Sequence, residues 1–260
     1  MISFRSIAAL LGVVMLASCT KDAVQDIAAP ATSGANIKFF NFGINGPGVN
    51  FYANEAKITA PAAFASTTNT ESTTGTAYGS AGNNGLYSNV AAGPYTFTGR
   101  ITATTDKDLK VSTLTATLED KKYYSLYTSG FYNTTAKTME SFLVEDPIPA
   151  IDFSVAYVRF VNASPNSSPM TLYAKSQTPG SAEVAVGGLV AYTKAGSFVA
   201  LPSAVYDLSA RVSGSTTNAI ARTAVSLVGG RVYTISARGD MTVTSTTAVN
   251  RPFLDNTANR

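Results

Sequence analysis

A chain of 260 residues, 13% of them charged and with a formal net charge of +3, is long enough for one large or two ordinary domains. Its charges are too few and too balanced for the clustered basic footprint that nucleic acid requires. It has no histidine and a single cysteine, Cys19. That removes the usual general base, every Ser-His-Asp or Cys-His arrangement, and the ligands of a zinc site. Only carboxylate pairs, Lys or Tyr remain for chemistry, and the expectation is a non-enzyme with no metal and no cofactor, stabilised by packed cores rather than disulfides.

The first element in chain order is a leader. Arg5 supplies a charged n-region, residues 7–16 an apolar h-region, and Leu16-Ala17-Ser18-Cys19 follows. The apolar run is too short to span a bilayer as a helix and reads as a processed signal. The motif resembles the bacterial lipobox, in which the cysteine is acylated and becomes the mature N-terminus; an ordinary secretory signal with an incidental cysteine is the alternative. Each acyl methylene buried in lipid contributes about 0.8 kcal/mol, so two or three chains on Cys19 make attachment effectively permanent. Thr20-Lys21-Asp22 resembles the Lys-acidic export signal of surface lipoproteins of Bacteroidota-type bacteria. This implies an outer-membrane protein partnered with the membrane through its lipid and displayed on the cell surface, with the periplasmic face as the alternative. Residues 1–18 read as the signal peptide and 19–35 as a lipidated tether.

The rest of the chain repeats itself. Ile37-Lys38-Phe39-Phe40-Asn41 lines up with Val158-Arg159-Phe160-Val161-Asn162 at an offset of 121, which also carries Phe51-Tyr52-Ala53 onto Leu172-Tyr173-Ala174. An offset of 111 pairs Tyr87, Tyr95, Phe97 and Arg100 with Phe198, Tyr206, Leu208 and Arg211. An offset of 109 pairs Leu118, Tyr124, Leu126 and Gly130 with Leu227, Tyr233, Ile235 and Gly239. The first copy thus has ten extra residues, placed in the Ser/Thr-rich run 66–76. Tyr95, Phe97 and Ile101 alternate with Thr96, Thr98 and Arg100, and Leu114, Ala116 and Leu118 with Thr113, Thr115 and Thr117. Tyr206, Leu208, Ala210 and Val212 do the same in the second copy. Such alternation, punctuated by Asn-Gly and Gly-Gly pairs, is the signature of half-buried antiparallel strands. The predicted fold is all-β, two tandem immunoglobulin-like antiparallel β-sandwiches at 36–149 and 150–250. The Asp146-Pro147-Ile148-Pro149 segment links them, and 251–260 forms a C-terminal tail.

Residues Tyr157 to Asn166, ending in Val-Asn-Ala-Ser-Pro-Asn, precede an alternating Met170-Thr171-Leu172-Tyr173. With Phe198-Val199-Ala200-Leu201-Pro202 and Tyr206-Asp207-Leu208, they resemble the family catalogued as domain of unknown function 4397. The resemblance is weaker in the first copy, and Ser203-Ala204-Val205-Tyr206 lacks the glycine that usually precedes the signature tyrosine. It implies a β fold, tandem occurrence and a bacterial surface or secreted setting, and carries no activity.

Asn41 and Asn162, equivalent at strand ends, are expected to close turns, and Tyr52 and Tyr173 to pack or cover an edge. The first copy has aromatics that the second lacks. Tyr124 and Leu126 match core positions, so Tyr123 and Tyr127 should face outward, where their counterparts are Val232 and Ser236. With Tyr132 and Tyr78 they form the candidate binding surface, whose ring faces and hydroxyl tips suit a glycan or an envelope protein. Tyr87, matched to Phe198, is expected in the core. Asp106, Asp108, Glu119 and Asp120 have no calcium-loop spacing and read as solvated turns. The expected function is a non-catalytic surface display, adhesion or assembly module. The alternative is an accessory glycan-binding lipoprotein of a nutrient-uptake system.

Overall fold

The structure, a computed structural model, describes residues 33–60 and 71–260. The signal, Cys19, the tether as far as residue 32 and part of the Ser/Thr-rich run lie outside the described residues. Among the described residues no helix is long and apolar enough to cross a membrane.

The first copy contains β1 (Ala35–Asn41), β2 (Val49–Ala53), β3 (Ala56–Lys57), β4 (Ser80–Ala81), β5 (Ser88–Val90), β6 (Gly93–Ile101), β7 (Lys110–Leu118), β8 (Tyr123–Asn133) and β9 (Thr138–Glu145). The second repeats the series as β10 (Val155–Asn162), β11 (Met170–Ser176), β12 (Glu183–Val190), β13 (Lys194–Ala195), β14 (Val199–Pro202), β15 (Ala204–Val212), β16 (Ile220–Leu227), β17 (Val232–Arg238) and β18 (Phe253–Ala258). In the first copy one sheet has the order β4-β1-β8-β9, with β5 also on β1, and the other is β3-β2-β6-β7. The second copy has the same two sheets, β13-β10-β17-β18 with β14 on β10, and β12-β11-β15-β16. Each pair of sheets encloses its own core, as the repeat and the alternation predict.

Two features refine the expectation. The hairpins β2–β3, β6–β7 and β8–β9 each stay within one sheet, and β1 runs parallel to β8 as β10 does to β17. The immunoglobulin likeness is thus one of sandwich architecture rather than of strand order. Residues 251–260 are not a tail. They contain β18, which pairs along β17 from Arg238↔Phe253 to Tyr233↔Ala258 and buries Leu254 in the second core. Arg and Asn flank this segment and its alternation is weak, so the sequence signal for a strand is poor. The ladder to β17 supplies what local pattern does not.

Matched residues perform matched tasks. The Tyr95 and Tyr206 hydroxyls donate to the carbonyls four residues back, Ala91 O at 2.9 Å and Pro202 O at 2.8 Å. The Tyr124 and Tyr233 hydroxyls accept from the backbone N–H groups of Glu119 and Val228. The tyrosine signature is therefore a corner-fastening device, and the missing glycine before Tyr206 leaves it intact.

Candidate functional site: the seam between the two copies

Alternation in β1 sends Ile37 and Phe39 into the first core and leaves Lys38 and Phe40 on the outer face. Along β8 it sends Tyr124 and Leu126 inward and Ser125, Tyr127 and Ser129 outward. The outer face so formed is not in water. It lies against the corresponding outer face of β10 and β17, and Phe40, Phe42, Tyr127, Phe142 and Val144 share one apolar cluster with Val161 and Ala163. Tyr127 stacks on Phe40 at 4.6 Å and on Phe142 at 5.0 Å, and its hydroxyl meets Ser236 Oγ at 3.2 Å.

Ser236 is the counterpart of Tyr127, so equivalent positions meet across the seam and the copies are related by an approximate two-fold. The polar contacts obey the same relation. Lys38 Nζ donates to Ala258 O at 2.6 Å and to Asn259 Oδ1 at 3.4 Å. Its counterpart Arg159 donates to Glu145 O at 2.8 Å and is ion-paired with Asp146. Register makes Glu145 and Ala258 equivalent, each lying opposite the β8 or β17 tyrosine of its own copy. Thr234 accepts from Asn259 Nδ2 at 2.7 Å, as Ser125 donates to Asp146 Oδ2 at 2.7 Å. Tyr87 also donates to Asp146 Oδ2, at 2.6 Å. Two cations and one carboxylate are thus buried together, and desolvation is the main cause holding the Lys38 ammonium down at about 8, with Asp146 opposing and Arg159 adding to the shift.

Divergence between the copies makes the two flanks of the seam unlike. On one flank Phe142 stacks on Tyr127 and meets the Tyr192 ring edge at 6.2 Å, while the Tyr192 hydroxyl donates to Glu140 Oε2 at 2.7 Å and lies 3.0 Å from Ser129 Oγ. On the other flank the position of Phe142 is taken by Asp255, which lies opposite Ser236. There a cleft of about 560 Å³ opens between β4 with its following turn and β18. Phe40 and Phe42 line it together with Ser80, Asn84, Leu86, Asp255 and Asn256. Arg238 donates to Asp255 at 2.6 Å, yet burial pushes that carboxyl above the ordinary range. Asn256 Oδ1 is buried with no hydrogen-bond partner among the described residues, and such an acceptor favours an incoming donor. The volume is that of a small-ligand pocket.

The candidate tyrosines are not brought together. Tyr127 faces out of its own sandwich as expected, but the second copy buries it completely. Tyr123 does reach the surface, edge-on to Tyr87 at 5.0 Å. Tyr132 packs against the first core, and Tyr78 lies at the seam under the Arg238 guanidinium, 5.0 Å from its ring centre. Tyr87 is half-buried at the seam rather than in a core, its ring 4.3 Å from Lys38 Nζ. Asn41 and Asn162 close turns as expected: both are buried and donate to backbone or turn acceptors, Asn41 to Pro47 O and Thr76 O, Asn162 to Ser167 Oγ. Tyr52 and Tyr173 lie under Arg100 and Arg211. Asp106 pairs with Lys137 at 2.6 Å, while Asp120 accepts from Gly34 N at the opposite end of the sandwich. Among the described residues no cluster of metal-ligating side chains forms. Sequence reasoning missed Lys38, Arg159 and Asp146. A charged residue amid an apolar strand, at the same place in both copies, was the available signal.

The family model for the domain of unknown function DUF4397 matches residues 35–173 and 156–259, taking in nearly all of the described chain. No curated protein matches. A solved structure from Bacteroides ovatus ATCC 8483, described as "a putative cell adhesion protein", aligns over 87% of this chain and 96% of its own. Its identity is 11% and its TM-score 0.24, a likeness too low to carry an argument.

Proposed function

Because the chain belongs to the DUF4397 family through both of its copies, and that family brings no activity with it, we propose its function from geometry: a non-catalytic, lipid-anchored envelope protein that serves as a display, adhesion or assembly module. The observation that carries this reading is the seam. Two sandwiches locked face to face by an apolar cluster and two mirrored polar latches make a stiff post, suited to holding loops away from a membrane rather than to closing around a substrate. The lipobox-like Leu16-Ala17-Ser18-Cys19 supplies the anchor in this reading, at the outer membrane and facing the surface.

The test is fractionation and surface proteolysis of intact cells. The native protein should sediment with membranes and be shaved from outside, and Cys19→Ala should be released. Protection until the envelope is breached would remove adhesion and leave periplasmic assembly; membrane retention of Cys19→Ala would remove the anchor.

A second reading, accessory glycan binding, is supported by the open flank of the seam. Phe40 and Phe42 offer an apolar wall and Asp255, Asn256 and Ser80 polar groups, a combination that suits a sugar ring bearing hydroxyls. On a glycan array, binding by the native chain that disappears in Ser80→Tyr, which fills the cleft, would establish it. Absence of any array signal would leave display alone.

A further inference from the structure

The contacts across the seam pair equal levels of the two sandwiches. Tyr127 meets Ser236, and Ser129 Oγ donates to Ala163 O at 2.9 Å, each pair lying at the same height above the strand starts. Both copies therefore stand with the same end down. The chain enters the first copy at that end, where Gly34 N donates to Asp120 Oδ1 and Gly34 O accepts from Lys121 N. Beside it, the segment leading into β10 and the turn between β16 and β17 bring together three exposed apolar side chains. Phe153 is 83% exposed, Ile151 58% and Val228 46%. Phe153 is held there by backbone, since Gly230 N donates to Asp152 O and Val155 O, and a Cβ on Gly230 would meet the ring at 2.8 Å.

Three apolar side chains grouped at one tip and open to water mark a contact surface in a way that singly scattered ones do not. Lys121 and Arg231 stand at the same end, exposed and outside every ion pair among the described residues. Glu119, Asp120 and Asp152 are there as well, so this end is not a basic patch, and what distinguishes it is the apolar tip with Phe153, the most exposed of the large apolar side chains among the described residues. The tether from Cys19 to Ser33 spans at most about 50 Å when fully extended, which keeps this end within reach of the surface that holds Cys19. Tethering also raises the local concentration of that surface, so weak insertion suffices.

We propose that this end of the molecule is a membrane-apposed face, in which Phe153, Ile151 and Val228 enter the interfacial layer of the phospholipid bilayer that carries the anchor. The proposal rests on the anchored reading above, and it adds an orientation: the opposite end, with the β1–β2 and β17–β18 connections, points away from the lipid.

The chain contains no tryptophan, so Phe153→Trp introduces a single tryptophan at the tip, excited selectively beyond tyrosine absorption. Val249→Trp, exposed on the β17–β18 connection, serves as the far-end control. The mature chain from Cys19 is coupled through its one thiol to maleimide-bearing lipid in phosphatidylethanolamine/phosphatidylglycerol vesicles, which bypasses cellular acylation. Insertion predicts a blue-shifted emission from Phe153→Trp, quenched several-fold by brominated acyl chains, while the emission from Val249→Trp is unchanged. The quenching should be lost when Ile151→Ser and Val228→Ser are added to Phe153→Trp. Solvent-like, unquenched emission from the tip fluorophore on coupled vesicles would overturn the membrane face while leaving the anchor untouched. A blue shift that depends on protein concentration without lipid would also overturn it, assigning the tip to contact between copies. Failure of the anchor itself is seen separately, as membrane retention of Cys19→Ala in cells.

Discussion

Asp146 is the residue on which the seam's electrostatics turn. It is buried and satisfied by Arg159, Tyr87 and Ser125 at once. Removing one partner of a buried pair leaves the other charge uncompensated, at a cost of about 3–5 kcal/mol. Asp146→Ala should destabilise by that order in denaturant unfolding, and Asp146→Asn by clearly less, because Asn259 already fills the equivalent place opposite Lys38. Equal losses in the two variants would contradict this account. Lys38 makes a second prediction. Its ammonium titrates at about 8 in the folded protein and at 10.5 in the unfolded chain. Between those values the unfolded state binds more protons, so stability rises with pH through that window and is flat below it. Unfolding midpoints of the native chain minus those of Lys38→Met should increase from pH 8 to 10.5, with tyrosine titration cancelling in the difference. A constant difference would show that Lys38 is not desolvated.

At the scale of elements, β18 completes the second copy. It covers the edge of β17, places Leu254 in the core and carries Asp255, Asn256 and Asn259 to the seam. Deleting 251–260 would expose one whole side of β17 and open the second core. Such a truncation should lose the cooperative unfolding of the second sandwich and aggregate through the bare edge, measured by calorimetry and light scattering. Were 251–260 a tail, the truncation would unfold as the full chain does. The β3–β4 region teaches a related lesson. The expected single insertion in the first copy is a net of two changes, because the β11–β12 hairpin is longer in the second copy and the β3–β4 connection is longer in the first.

For the whole molecule, the seam makes two domains into one mechanical unit. Tyr127 sits at its centre between Phe40 and Phe142, and truncating a buried aromatic costs about 3–5 kcal/mol. The described chain should therefore unfold in one transition, and Tyr127→Ala should separate it into two. Two transitions in the native chain would mean that the copies are only loosely joined. The same burial means that replacing Tyr123 and Tyr127 together disturbs the seam as well as the surface, so Tyr123 has to be tested alone.

The duplication, the strand alternation and the corner tyrosines were legible in the sequence because each depends on contacts that recur at fixed spacing within a copy. Two sandwiches, their boundary near 146–149 and the turn-closing roles of Asn41 and Asn162 follow from that local regularity. The inward or outward direction of Tyr124, Leu126, Tyr123 and Tyr127 follows too, since a strand alternates faces whatever lies beyond it. What covers an outward face does not follow, because alternation distinguishes the two sides of a sheet and says nothing about whether water or another sheet adjoins the second side. Only tertiary structure turned Tyr127 from a candidate contact into a buried seam residue, paired Lys38 and Arg159 with the ends of opposite copies, and recruited 251–260 as a strand. Those outcomes depend on how two finished surfaces fit, a property of assembled faces that no single segment carries.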